Sequence, residues 1–354
     1  MQRNSHVTLC AGCIYSCSGA HLCCFGPLPC LLVLAALLCA APAALADTLN
    51  PAVVPFHFVR GFAVMVPVTV NGSGPYDFML DTGSTITSVD RELGQELALQ
   101  PQGQGMVMTL AERAATSLAV ARRVAFGPVT EQNVEVMVRD LSGLRHIAPT
   151  ARGVLGQNAL NHADFLLDYR HKLMEFDTDG ELARSLKGHH VPLRRELVEG
   201  NPQYANLAVH ANVNDHGAHT IDFLLDSGAA SMVLFGEAEN DGIERPQGFV
   251  ADTAGRQLVS SVRDIQVLID GNSREMETNV LASRAAGKDI GGLLPTNIFG
   301  RIYISNSGGF AMFEPKTKKP APLDHMIAGI APKRRLGVED EPRGLLGIAS
   351  GMRE

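Results

Sequence analysis

The chain writes one nine-residue phrase twice. Residues 76–84 read YDFMLDTGS and residues 221–229 read IDFLLDSGA, with identities at Asp77/Asp222, Phe78/Phe223, Leu80/Leu225, Asp81/Asp226 and Gly83/Gly228. In each copy an apolar run of strand character stops at an aspartate, and Thr or Ser followed by Gly supplies a turn. Such a repeat restricts the chain to architectures that use one supersecondary unit twice. The surroundings repeat too. FAVMVPVTV (62–70) is rich in β-branched residues and leads through the turn signal NGSGP (71–75) into the first phrase; NLAVHANV (206–213) leads through NDHG (214–217) into the second. Further on, GVLGQNAL (153–160) has its counterpart in GLLPTNIF (292–299), and each precedes a pair of strand-like segments, 165–176 and 301–313.

These patterns predict a mostly β protein of two related halves, 47–180 and 204–318, joined by a connection at 181–203. Helices should be few, the best candidate being VDRELGQELAL (89–99) with Asp90 as its N-cap. A length of 354 residues accommodates two domains, and 45% apolar with 19% charged residues is a globular balance. A net charge of −7, with only short basic clusters at Arg194-Arg195 and 316–335, leaves no electrostatic footprint for nucleic acid.

All seven cysteines (Cys10, Cys13, Cys17, Cys23, Cys24, Cys30, Cys39) precede residue 40. No histidine or carboxylate stands at ligand spacing within that cluster, so no metal site is expected there. Residues 31–41, LLVLAALLCAA, have the length of a signal h-region and are too short to span a bilayer, and AALA (43–46) offers a cleavage site before Asp47. The expectation is a signal peptide at 1–46 and an exported, periplasmic or secreted protein whose mature part lacks cysteine and any stable membrane span. After Pro315 the composition shifts, which predicts a mobile tail at 319–354 with a short apolar segment, 326–331.

Taken alone, Asp-Thr-Gly-Ser is a capped turn, because Asp and Thr side chains bond nearby amides. Two such turns, each at the end of an apolar strand in related halves, can instead bring two carboxylates face to face where burial acts on their protonation. Carboxylates about 3 Å apart cannot both ionise, so such a pair holds one proton and supplies an acid and a base together. The chemistry calls for no metal, nucleotide or other cofactor, and the sequence does not say which aspartate plays which part.

The doubled Asp-Thr/Ser-Gly-Ser/Ala with its two apolar-apolar segments resembles the aspartic peptidases, specifically bacterial exported proteins with two retropepsin-like halves in one chain. The resemblance covers residues 56–313. It implies two retropepsin-like β-barrel halves packed with pseudo-twofold symmetry, the active site between them, and an aspartic endopeptidase acting on peptide or unfolded protein as a monomer. It also implies that Asp81 and Asp226 are the catalytic pair. Thr82 and Ser227 would tie the loops together, Gly83 and Gly228 would let amides approach the carboxylates, and Ser84 and Ala229 would complete the supporting loops. Val154-Leu155-Gly156 would pack behind the first loop.

The pattern departs from the family at Pro295, where the first half has Gly156. Flap hairpins are expected around 103–114 and 248–258, and neither contains Tyr or Trp. Ser84 lacks the Gly-x-Ser-x-Gly setting of a nucleophile. His210, His216 and His219 bracket a turn and read as a solvated loop rather than a metal site, and His189-His190 fall in the connection. The alternative to a peptidase is an exported peptide-binding or scaffolding protein that keeps the fold without the reaction.

Overall fold

The computed structural model describes residues 52–110, 113–198, 201–214, 217–236, 246–251, 255–282 and 290–316. The expected signal peptide, the cysteine cluster and the expected tail lie outside them. Among the described residues no helix is long and apolar enough to cross a membrane.

The first half contains β1 (Val53–Pro55), β2 (His57–Val59), β3 (Ala63–Val70), β4 (Ser73–Leu80), β5 (Ser88–Asp90), β6 (Pro101–Met108), β7 (Arg113–Phe126), β8 (Val129–Arg139), β9 (Ala151–Leu155), β10 (Phe165–Asp168) and β11 (Leu173–Phe176). Next come β12 (Val191–Val198), β13 (Asn201–Asn214), β14 (Ala218–Asp226), β15 (Met232–Phe235), β16 (Gln247–Ala251), β17 (Gln257–Ile269), β18 (Asn272–Leu281), β19 (Gly292–Pro295), β20 (Phe299–Ser305) and β21 (Phe310–Pro315).

Each copy of the repeated phrase forms the same local structure. Its apolar run is a strand, β4 or β14, that pairs antiparallel with the strand before it and parallel with the apolar-apolar segment, β9 or β19. A strand with neighbours on both sides is buried, which is why Phe78-Met79-Leu80 and Phe223-Leu224-Leu225 are continuously apolar. The remaining pairings also repeat: β5 with β8 and β15 with β18 are parallel, and β3 with β7 and β13 with β17 close the two sheets. The residue after β4 and the last residue of β14 are the two motif aspartates.

The halves are joined by their terminal strands. β10 and β20, the first strands after the apolar-apolar segments, pair antiparallel, with Phe165 opposite Ile304 and Leu167 opposite Ile302. The order β1-β11-β10-β20-β21-β12-β13 carries this junction into the second half's own sheet. One hydrophobic core runs through, taking Leu80, Leu155 and Leu167 from one side and Leu225, Leu294 and Ile302 from the other.

Two local expectations differ from the structure. The helix read at 89–99 is shorter, Arg91–Glu96, because Val89 and Asp90 belong to β5, and Asp90 makes no side-chain cap. Its buried carboxylate instead accepts from the Leu141 amide (3.2 Å) and pairs with Arg145. Within the segment read as a connection, Val191–Val198 is a strand held between β21 and β13.

Candidate active site

β4 and β14 deliver Asp81 and Asp226 to one place, and the residues that follow lock the loops to each other. Thr82 Oγ1 donates to the Leu225 carbonyl (2.8 Å) and accepts from the Ser227 amide (3.0 Å). Reciprocally, Ser227 Oγ donates to the Leu80 carbonyl (2.9 Å) and accepts from the Thr82 amide (3.0 Å). Both hydroxyl residues are fully buried, so every bond of this network is made where water cannot substitute for it.

Glycine follows in both loops because a carboxylate occupies the space a side chain would need. A Cβ on Gly83 would lie 2.6 Å from Asp226 Cγ, and one on Gly228 would lie 2.9 Å from Asp81 Cγ. Each glycine is thus pressed against the opposite aspartate, which sets the two carboxyl groups side by side.

The surroundings of the pair are unequal. Asp81 accepts from the amides of Gly83 (2.9 Å) and Ser84 (3.1 Å) and from Ser84 Oγ (2.7 Å). Asp226 accepts from the Gly228 amide (2.8 Å) and is favoured as an anion by the Ala229 amide, but alanine offers no hydroxyl. Burial first, and then the charge of Asp81, push the Asp226 carboxyl well above the ordinary carboxylate range. Burial and the neighbouring carboxylate thus favour the protonated form of Asp226, while Asp81 has the larger set of donors.

Behind the loops the halves solve one packing problem in two ways. The Gly156 amide donates to Thr87 Oγ1 (3.1 Å), and a Cβ on Gly156 would approach the Ile86 carbonyl carbon to 2.7 Å. In the second half Pro295, opposite Asp226 in the β14–β19 register, has no N–H to donate. The residue at the place of Thr87 is Met232, buried and without an oxygen acceptor. Donor and acceptor are both gone, so the exchange orphans neither. Asn158 accepts from the amide and hydroxyl of Thr87 (2.8 and 2.9 Å), and Gln157 Nε2 donates to the Thr82 carbonyl (3.2 Å). Asn158 recurs as Asn297 in the second copy, a signal the motif reading passed over. Tyr169, a buried residue, hydrogen-bonds Thr296 Oγ1 (2.5 Å), and burial holds its phenol far above its usual range.

A cavity of about 920 Å³ opens above the two aspartates. The segments expected as flaps are hairpins, β6–β7 and β16–β17, and both line it. Leu110, beyond β6, packs on the second half against the apolar cluster that includes Leu224, Val233 and Leu293. Gly255, before β17, lies against the first half, where a Cβ on it would meet Gly143 Cα at 3.3 Å. Each hairpin therefore reaches the opposite half, and together they roof the cavity.

The first aspartates of the repeated phrases stand in the middle of their strands, four residues before the motif aspartates. Asp77 faces His57 (3.9 Å), and Asp222 pairs with Arg194 (2.6 Å) and His210. His219 bonds the Gly217 carbonyl (3.1 Å), His189 pairs with Asp270 (2.8 Å), His190 stacks on Phe310, and His216 lies outside the described residues.

Residues 66–159 match the family model described as aspartyl protease. The resemblance to aspartic peptidases stands on that match, which covers the first Asp-Thr-Gly loop and its apolar-apolar segment. Among solved structures, the chain is similar to a retropepsin-like aspartic protease from Rickettsia conorii, at 18% identity over 35% of this chain and 87% of that one, with a TM-score of 0.27. No curated protein matches the chain.

Proposed function

We propose that the chain is an aspartic endopeptidase that hydrolyses peptide bonds in extended or unfolded polypeptide, with water activated by Asp81 and Asp226. The observation that carries this reading is the reciprocal Thr82/Ser227 pairing, which sets two carboxyl groups side by side on the floor of a roofed cavity.

Asp81, the charged member, takes a proton from water as the water oxygen attacks the scissile carbonyl carbon. Asp226 gives its proton to the carbonyl oxygen, and a gem-diol forms. In the second step Asp81 passes its proton to the amide nitrogen, the C–N bond breaks, and Asp226 recovers a proton from a diol hydroxyl. The pair ends as it began, with one proton on Asp226. The exposed backbones of the two hairpins suit an extended chain bound by strand addition.

We further propose that the two halves are related by a pseudo-twofold axis through the dyad, that the protein acts as a monomer, and that it is exported with residues 1–46 removed. N-terminal sequencing of the mature protein tests the last point, and a mature chain that retains Cys39 would refute it.

The catalytic reading is tested by turnover of a peptide library and of an unfolded protein. Asp81→Asn and Asp226→Asn should each remove nearly all activity, and the double variant should lose little more, because members of one catalytic unit are not additive. A statine-containing peptide, which mimics the tetrahedral intermediate, should inhibit. Full activity in either single variant would refute the dyad. Binding of such peptides with no cleavage of any library member would leave a peptide-binding protein.

A further inference from the structure

We propose that Arg60, with Arg139 and His146, forms a subsite that selects an acidic side chain of the bound peptide; this rests on the peptide-cleft reading above. Among the described residues, the second-half side of the cavity is lined by neutral residues apart from Asp226. On the first-half side its described ionisable residues other than Asp81 are Arg60, Arg139 and His146, all basic. Among the described residues no carboxylate except the dyad lines the cavity, although the chain as a whole carries a net charge of −7. A cleft that collects cations against the balance of its own protein is complementary to an anionic ligand.

The three side chains arrive from separate elements. Arg60 stands in the tight turn between β2 and β3, closed by the Phe62 amide on the Val59 carbonyl (3.3 Å). Its φ is +52° and that of Gly61 is +77°, a conformation that Asn or Gly takes more readily than arginine. The Arg60 side chain is exposed and forms no ion pair with another described residue. Structure alone gives no reason for a long cation at this corner; a ligand does. Arg139, at the end of β8, donates through Nε to Ser88 Oγ (3.3 Å), which fixes its guanidinium at the cavity wall. His146 on the helix Ser142–Ile147 engages the Ser142 carbonyl through Nδ1 (2.7 Å), leaving Nε2 directed elsewhere. Gly255, on the second flap, touches the same helix at Gly143, so this end of the cleft is roofed.

The chemistry selected is a carboxylate, for which the guanidinium fork is matched. Because the cations lie on one half only, the preference should fall on one side of the scissile bond, which gives a near-symmetric dyad a directional substrate.

The test scans Glu, Gln and Lys through each position of a fluorogenic peptide series. Wild type should favour Glu over Gln in kcat/KM at one position on one side of the cut, and the preference should shrink as salt rises. Arg60→Gln should lower that Glu-to-Gln ratio about tenfold, the size of one charge-assisted hydrogen bond. Arg60→Glu, checked for an unchanged melting temperature, should turn the preference at that position toward Lys. A flat profile in wild type, or a ratio unmoved by both variants, overturns the subsite. If no peptide is cut, the peptidase reading fails, and the subsite is decided by binding of statine peptides carrying Glu or Gln at each position. Tighter binding of one Glu peptide, lost in Arg60→Gln, upholds it; equal affinities or no binding overturns it.

Discussion

Ser84 and Ala229 hold the same place in the two loops and differ by one oxygen atom, and that atom breaks the equality of the dyad. Ser84 Oγ donates to Asp81 at 2.7 Å, whereas Ala229 has nothing to donate. Ser84→Ala should therefore weaken the charged state of Asp81 and cost about tenfold in kcat, the worth of one hydrogen bond to a charged group. Ala229→Ser should give Asp226 a donor that favours its anion, so the alkaline limb of the pH-rate profile should move to lower pH. An unmoved limb in a folded, active Ala229→Ser protein would refute the assignment of the proton. The same group makes a stability prediction. Asp226 titrates in the folded protein well above the ordinary carboxylate value of 3.8. The native state thus binds this proton more tightly than the unfolded chain does. That contribution is complete below the unfolded value and is lost as pH rises through the folded one. Asp226→Asn should remove this pH dependence and raise the melting temperature on the alkaline side, while activity is lost. Melting curves across pH check it, and a variant that melts lower than wild type at neutral pH would refute it.

At the scale of elements, the turn from β9 and the turn from β19 show how a repeat diverges in sequence while keeping its local strand pairing. Pro295 has φ −67°, the value its ring imposes, and it holds the place of Gly156 as Met232 holds the place of Thr87, the acceptor for the Gly156 amide. Pro295→Gly should cost about 1–3 kcal/mol, because a buried N–H then meets a thioether in place of a hydroxyl. Met232→Thr restores the acceptor, so in a double-mutant cycle by urea unfolding the two changes should couple favourably by about 1 kcal/mol. Simple additivity would show that the two positions do not compensate. This pairing was hidden from sequence reading because Pro295 reads as an isolated departure until β15 and β19 are placed side by side. The repeated phrases were readable because strand pattern, turn and reactive group all lie within nine contiguous residues. Asp90 resembled a helix cap because local sequence shows neither Arg145 nor the Leu141 amide, its actual partners. Val191–Val198 becomes a strand through pairing with β13 and β21, a tertiary cause without a local signature. Arg60, Arg139 and His146 each look like ordinary surface residues, and only the fold gathers them at one cavity.

The whole molecule depends on two seams between its halves, one of strands and one of loops. The strand seam is the β10–β20 pairing, extended through β12, which makes the terminal strands of both halves part of one sheet. The loop seam is the Thr82/Ser227 network, and its bonds cross from one half to the other. Thr82→Val keeps the shape but leaves the Leu225 carbonyl and the Ser227 amide without their partner in a dry interior. Ser227→Ala does the same to the Leu80 carbonyl and the Thr82 amide. Each should cost about 2–4 kcal/mol, the penalty for stranded buried polar groups. The double variant should cost less than the sum, since the first change already loosens the loop that the second would disturb. Each should also lower kcat beyond the loss of stability, because the carboxyl groups no longer meet at a fixed separation. Since one core and one sheet bridge the halves, calorimetry should give a single endotherm for wild type and for each variant, displaced to lower temperature in the variants. Two resolved endotherms would mean that the halves unfold independently and that the loops, not the shared sheet, hold them together.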